Sequence, residues 1–171
     1  SFLHPMSTLL KTLAMKVLEG KKIPYEVLAY PDQLRDAEAI AATLGLPAGQ
    51  LFKTLVVARP PAKPLLAMVP ADRQLNLKKL AAATGDKKLK MATHREAEEL
   101  TGLRVGGISA LALLNKGFVI LLDQSAQTHE HLYVSAGQPG LDLKVATAAL
   151  VKVTNARLVD VCDHETPKQP V

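Results

Sequence analysis

The side chain with the most chemical promise in this sequence is Lys53, because its neighbours give it no structural reason to be charged. In Leu51-Phe52-Lys53-Thr54-Leu55-Val56-Val57 a period of two puts Lys53 on the face of Leu51, Leu55 and Val57, with Phe52, Thr54 and Val56 opposite. A lysine on a strand that is apolar on both faces is costly to bury unless a partner or a substrate charge offsets it. The alternative is an edge lysine whose stem lies along the apolar surface while its ammonium reaches water.

A second group lies in Gly102-Leu103-Arg104-Val105-Gly106-Gly107-Ile108-Ser109. Adjacent glycines let backbone approach a ligand and aim N–H groups at an anion or a developing oxyanion, although an ordinary tight turn uses the same pair. Ser135, at a strand end before Gly137, can donate to a substrate or simply serve the turn. Asp123 directly follows an apolar strand, and Tyr30 offers a phenol at the end of another. Metal chemistry finds no support: His129-Glu130-His131 lacks the i, i+4 histidines of a zinc helix. There is no nucleophile elbow, and Cys162, without an adjacent base, reads as a buried or incidental thiol.

These groups must be positioned by short, alternating helices and strands. Residues 9–18 have helical spacing through Leu9, Leu10, Leu13 and Val17 and stop at Gly20. Residues 25–30 read as a strand between Pro24 and Pro31. Asp36 caps a helix over 37–44 that Gly45 closes. Strands at 50–59 and 63–69 flank Pro60 and Pro61, whose missing donors suit a turn. Helices follow at 77–83, stopped by Gly85, and at 95–100, opened by Thr93. Strands are expected at 117–122 and 133–136, a helix at 145–153 and a last strand at 157–161. The order fits a single α+β domain over 9–161, with residues 1–5 a cloning remnant and 162–171 a frayed tail.

The whole chain has 171 residues, is 48% hydrophobic and carries a single cysteine, enough for one sizeable core with no internal disulfide. A soluble protein of a reducing, cytoplasmic compartment is expected. Aromatic residues are 4% of the chain, too few for a platform that stacks a run of bases. The formal charge of +5 is localised. From residue 73 to residue 95, Arg73, Lys78, Lys79, Lys87, Lys88, Lys90 and Arg95 face one acid, Asp86, an excess of six. The remaining 14 basic and 15 acidic residues nearly cancel. A phosphate backbone selects such a segment, and a solvated helix surface produces one equally well.

Taken together, the motifs resemble the YbaK/EbsC-type aminoacyl-tRNA deacylases, relatives of the editing domain inserted in bacterial prolyl-tRNA synthetases. They are Phe52-Lys53-Thr54-Leu55-Val56-Val57, Leu75-Asn76-Leu77-Lys78-Lys79-Leu80, Thr101-Gly102, Gly106-Gly107-Ile108-Ser109, Leu122-Asp123, Tyr133-Val134-Ser135-Ala136-Gly137 and Gly140-Leu141-Asp142. The resemblance implies a mixed, barrel-like β-sheet surrounded by helices. It implies catalytic roles for Lys53, Gly106, Gly107 and Ser109, and substrate contacts for Tyr30, Thr54, Ile108, Asp123, Ser135 and Gly137. Arg73, Lys78, Lys79, Lys87, Lys88 and Lys90 are the residues expected to meet tRNA.

The implied substrate is Cys-tRNA(Pro), edited in trans with neither metal nor cofactor, prolyl-tRNA synthetase being a candidate partner and DNA and membranes not. In the implied mechanism the substrate thiol attacks its own carbonyl. Alternatives are deacylation of Ala- or Ser-tRNA, or a non-catalytic module that binds tRNA or a synthetase. Two departures stand out: Ala110 replaces the family's usual proline, and the 31–36 connection is shorter than in the best-known YbaK sequences.

Overall fold

The computed structural model describes residues 10–164, so residues 1–5, Leu9 and most of the polar tail lie outside the described part. Helix α1 (Leu13–Gly20) starts where Thr12 accepts from the Met15 N–H, leaving Leu10 outside the helix and exposed. Strand β1 (Tyr25–Ala29) and helix α2 (Ala37–Leu44) follow, α2 being capped by the Asp36 carboxylate on the Ala39 N–H and closed by Gly45 in the left-handed region. Strands β2 (Phe52–Arg59) and β3 (Ala62–Pro70) form an antiparallel pair about the two prolines.

Helix α3 (Leu77–Thr84) ends at Gly85, and a two-residue strand, β4 (Lys90–Met91), leads to α4 (His94–Thr101). Thr93 and Glu96 close a reciprocal capping box on α4. A 3-10 segment (Leu111–Lys116) precedes β5 (Val119–Asp123), and another (Gln124–Thr128) precedes β6 (His131–Ser135). The chain then runs through β7 (Leu141–Ala146), α5 (Thr147–Thr154) and β8 (Arg157–Val159).

The strands form two sheets rather than the one barrel-like sheet expected. A five-stranded mixed sheet has the order β4-β2-β3-β5-β8, and a three-stranded antiparallel sheet has the order β1-β7-β6. A single bridge between Leu51 and Tyr133 ties them at one corner, with the Tyr133 N–H donating to the Gln50 carbonyl. The sheets therefore meet without closing.

Alternation along the strands builds three apolar layers. Phe52, Val56, Leu66, Met68, Ile120 and Leu122 face Leu132, Val134, Leu143 and Val145 of the smaller sheet, with Ala14, Met15 and Leu18 of α1 packed at one end. The other face of the larger sheet, through Val57, Leu65, Ala67, Val69 and Leu121, packs against Leu80 of α3. Ile40 and Ala41 of α2 pack with Tyr30, Leu51, Ala71 and Tyr133. Each fully buried leucine contributes about 2 kcal/mol of transfer free energy, so strands apolar on both faces carry much of the fold.

Two expectations along the chain are corrected. The helix expected at 145–153 begins at Thr147, because Val145 and Ala146 complete β7, whose Leu141, Leu143 and Val145 point into the core. The tail does not loosen at Cys162: that residue bridges Leu75, and the Asp163 N–H donates to the Gln74 carbonyl at 3.0 Å.

Candidate functional site

The partner of β2 on its outer edge is short. Strand β4 pairs with Val57 and Ala58, and the Ala92 N–H adds one bond to the Val56 carbonyl, so among the described residues no strand pairs with the 52–55 stretch on that edge. Against that edge stand the start of α2, the turn around Gly106 and the inner end of β7. They enclose a cleft of about 280 Å³.

Of the residues expected to act on a substrate, Lys53, Thr54, Tyr30, Gly106, Ile108 and Ser135 line this cleft together. Lys53 is half-buried, and its Nζ donates to the Ala71 carbonyl at 3.2 Å, a bond that uses one of its three protons. The Thr54 hydroxyl is shielded from solvent and has no hydrogen-bond partner among the described residues. Burial, and then the charge of Asp142, push the Tyr30 phenol up to about 12, so it stays a neutral hydroxyl at physiological pH.

Four expected site residues stand elsewhere. Asp123 is buried, with its carboxylate accepting from the Ser125 N–H at 3.1 Å, the Ser125 hydroxyl at 2.5 Å and the Val161 N–H at 3.2 Å. Burial pushes its carboxyl up, but these hydrogen bonds outweigh burial and hold it below the usual value. It joins β5 to the last strand and does not face the cleft. The Ser109 hydroxyl accepts from the Ala112 N–H at 3.3 Å, so it is engaged in the turn that leads into the 3-10 segment. Gly107 is a packing glycine: a Cβ there would lie 2.6 Å from backbone atoms of Gln138, and its own N–H already donates to the Arg104 carbonyl. Gly137, at φ +104, donates to the Ser135 hydroxyl at 3.1 Å and so orients a cleft residue from behind.

Sequence reasoning missed two cleft residues. Asp142 is 4% exposed, pairs across the sheet with Ser135, and has no hydrogen-bond or cationic partner among the described residues. Burial pushes its carboxyl up to about 6. An acid inside Leu141-Asp142-Leu143 was the available signal, obscured because local pattern assigns residues 141–144 to no element and 145–146 to a helix. Arg35, from the 31–36 connection, also lines the cleft and donates through Nη1 to the Val105 carbonyl.

The basic segment divides in two. Lys79 pairs with Asp160 at 3.1 Å and donates to the Cys162 carbonyl, and Arg73 donates to the Asp163 carbonyl. Lys78, Lys87, Lys88 and Lys90 are exposed, Lys90 standing 4.0 Å from Glu96. Lys78 rides on α3, which covers the sheet face that carries Leu55 and Val57 and, by alternation, Lys53. Cys162 is inert, burial and then Asp123 pushing its thiol up to about 12.

A strand edge with a lysine, a phenol and an unpaired carboxylate around a small cleft can hold a compact group that carries charges of both signs. Comparison with known proteins specifies the class: residues 31–153 match the profile of the aminoacyl-tRNA editing domain, and the chain belongs to that family of aminoacyl-tRNA deacylases. It is 35% identical over 157 residues, 91% of this chain and 95% of the other, to a protein of Enterococcus faecalis provisionally named Cys-tRNA(Pro)/Cys-tRNA(Cys) deacylase EbsC. Against a proline–tRNA ligase of Pelotomaculum thermopropionicum it is 30% identical over 131 residues, and there it spans only 22% of the ligase. A solved structure provisionally described as a trans-editing enzyme for prolyl tRNA synthetase superposes with TM-score 0.78 at 25% identity, covering 91% of this chain and 99% of that one.

Among the described residues no helix is long and apolar enough to cross a membrane.

Proposed function

We propose that the chain removes mischarged amino acids, cysteine first, from tRNA(Pro) in trans, and that the 280 Å³ cleft holds the aminoacyl ester. The observation that carries this reading is the meeting of Lys53 and the unpaired Asp142 in one cleft. An aminoacylated 3′ end presents a cationic α-amino group within a few bonds of an ester carbonyl, and phosphate oxygens beyond the ribose. Asp142 takes the ammonium, which supplies the charge partner that its buried carboxylate lacks. Lys53 takes backbone or phosphate oxygens, with the Tyr30 and Thr54 hydroxyls available to the ribose and ester.

The Gly106 N–H, which has no acceptor among the described residues, serves the developing carbonyl oxyanion. Gly107 and Ser109 support the same turn from behind. With a cysteinyl ester the substrate sulfur attacks its own carbonyl carbon, the C–O bond to the ribose breaks and the ribose oxygen takes up the thiol proton. The products are a cysteine thiolactone and free tRNA, and the cleft contributes orientation rather than a protein nucleophile. Exposed Lys78, Lys87, Lys88 and Lys90 meet the tRNA backbone.

The test is release of label from cysteinyl-, alanyl-, seryl- and prolyl-tRNA(Pro) by the wild type and by Lys53→Ala. Cysteinyl-tRNA(Pro) is expected to be deacylated fastest, and the variant to lose at least a hundred-fold in kcat/KM, about 3 kcal/mol of transition-state stabilisation. Equal release by wild type and variant overturns the role of Lys53. Faster release from alanyl- or seryl-tRNA reassigns the substrate.

A further inference from the structure

The peptide joining Val105 to Gly106 is gripped from outside its own turn. Arg104 to Gly107 forms a tight turn in which the Gly107 N–H donates to the Arg104 carbonyl at 2.8 Å. Gly106 has φ +93 and Val105 is not among the residues with positive φ, the pattern of a type II turn. From α4, Glu98 Oε2 accepts the Val105 N–H at 2.9 Å. From the opposite side, Arg35 Nη1 donates to the Val105 carbonyl. The arginine also lies against the glycine, since a Cβ at Gly106 would stand 2.7 Å from Arg35 Nη1 and 2.9 Å from its Cδ.

A trans peptide points its C=O and N–H in opposite directions. Whatever holds the Val105 carbonyl therefore sets where the Gly106 N–H points. The competing arrangement is a flip of this central peptide to a type I turn, which reverses both groups. A charge-assisted bond at the carbonyl resists the flip and also polarises the peptide, making its N–H a stronger donor.

We infer that Arg35 is a positioning residue for the reaction. Through the Val105 carbonyl it fixes and polarises the Gly106 amide, and the absence of a side chain at Gly106 is what lets it lie there. Its effect on turnover rests on the deacylase reading above. The 31–36 connection brings this arginine from the start of α2 onto the turn.

The experiment has an activity arm and an arm that needs no activity. In Arg35→Ala, kcat for cysteinyl-tRNA(Pro) is expected to fall about ten-fold with KM within two-fold, and millimolar guanidinium to restore part of the loss. In 15N-labelled protein the Gly106 amide resonance is expected to shift or broaden in Arg35→Ala and to stay in place in Lys53→Ala. An unmoved Gly106 resonance overturns the proposal, as does a loss confined to KM that deepens with salt, the sign of a phosphate contact instead. If the wild type releases no amino acid, the deacylase reading fails while the amide arm still decides the latch. Should Arg35→Ala not fold, Arg35→Lys, which keeps the charge without the planar fork, carries the same amide measurement.

Discussion

Two aspartates, both almost fully buried, receive opposite tasks from their surroundings. Asp123 is saturated with donors and held below its usual pKa, so it stabilises the fold above that range and loses its contribution as pH falls through its lowered value. Asp142 has burial without partners and a carboxyl near 6. Its folded state binds a proton more tightly than the unfolded chain, so stability falls as pH rises from the ordinary carboxylate range through about 6. Asp142→Asn should therefore raise the unfolding free energy at pH 7.5 by about 2 kcal/mol, measured by urea denaturation, with little change at pH 4. In the wild type, KM for the aminoacyl-tRNA is expected to fall as pH rises through about 6, and the same variant should raise KM and abolish that fall. A KM that remains pH-dependent in the variant removes Asp142 from ammonium recognition.

At the scale of elements, what governs the site is how the turn between α4 and β5 is braced. The Ser109 hydroxyl accepts from the Ala112 N–H, and Ala110, which directly precedes the 3-10 segment, has φ −60 and ψ −36. That φ is the one a proline ring fixes. Ala110→Pro should thus be tolerated and raise stability by about 0.5 kcal/mol through the unfolded chain, seen as a small rise in Tm with kcat within two-fold. Gly107→Ala is expected to do the reverse: its Cβ meets Gln138 backbone at 2.6 Å, so the 137–140 turn must move, costing about 2 kcal/mol by the same denaturation measurement. Local signals made much of this legible. Asp36 with Gly45, Gly85, and Thr93 with Glu96 fixed three helices to within a residue or so, because caps depend on residues close in sequence. Strand β7 escaped because local pattern assigns residues 141–144 to no element and Val145 to Val153 also satisfies helical spacing; only pairing with β1 and β6 decides for extended chain. Lys53, Tyr30 and Thr54 were legible as site residues from pattern and resemblance, whereas Arg35 and Asp142 gain their meaning from contacts across 70 residues or from burial that no local pattern reports.

For the molecule as a whole, the question is which of its positive charges are available to a polyanion. The excess in the segment from residue 73 to residue 95 overstates the electrostatic footprint, because Arg73 and Lys79 are spent holding the segment after β8 to the start of α3. A cation already bonded to protein acceptors releases few counterions when a phosphate approaches. Lys78, Lys87 and Lys88 have no salt bridge among the described residues and stand exposed. Neutralising these three together should weaken tRNA binding and flatten the plot of log K against log salt by about 2 units of slope, at roughly 0.7 to 0.9 per phosphate contact. Lys79→Met should leave the slope within about half a unit and instead lower the unfolding free energy, since it frees Asp160 and the Cys162 carbonyl from their partner. Filter binding at four salt concentrations and urea denaturation separate the two outcomes. A slope that responds to Lys79 as strongly as to the exposed lysines means that the Asp160 pair opens to receive tRNA, and an unchanged slope in the triple variant moves the tRNA path off this face of the larger sheet.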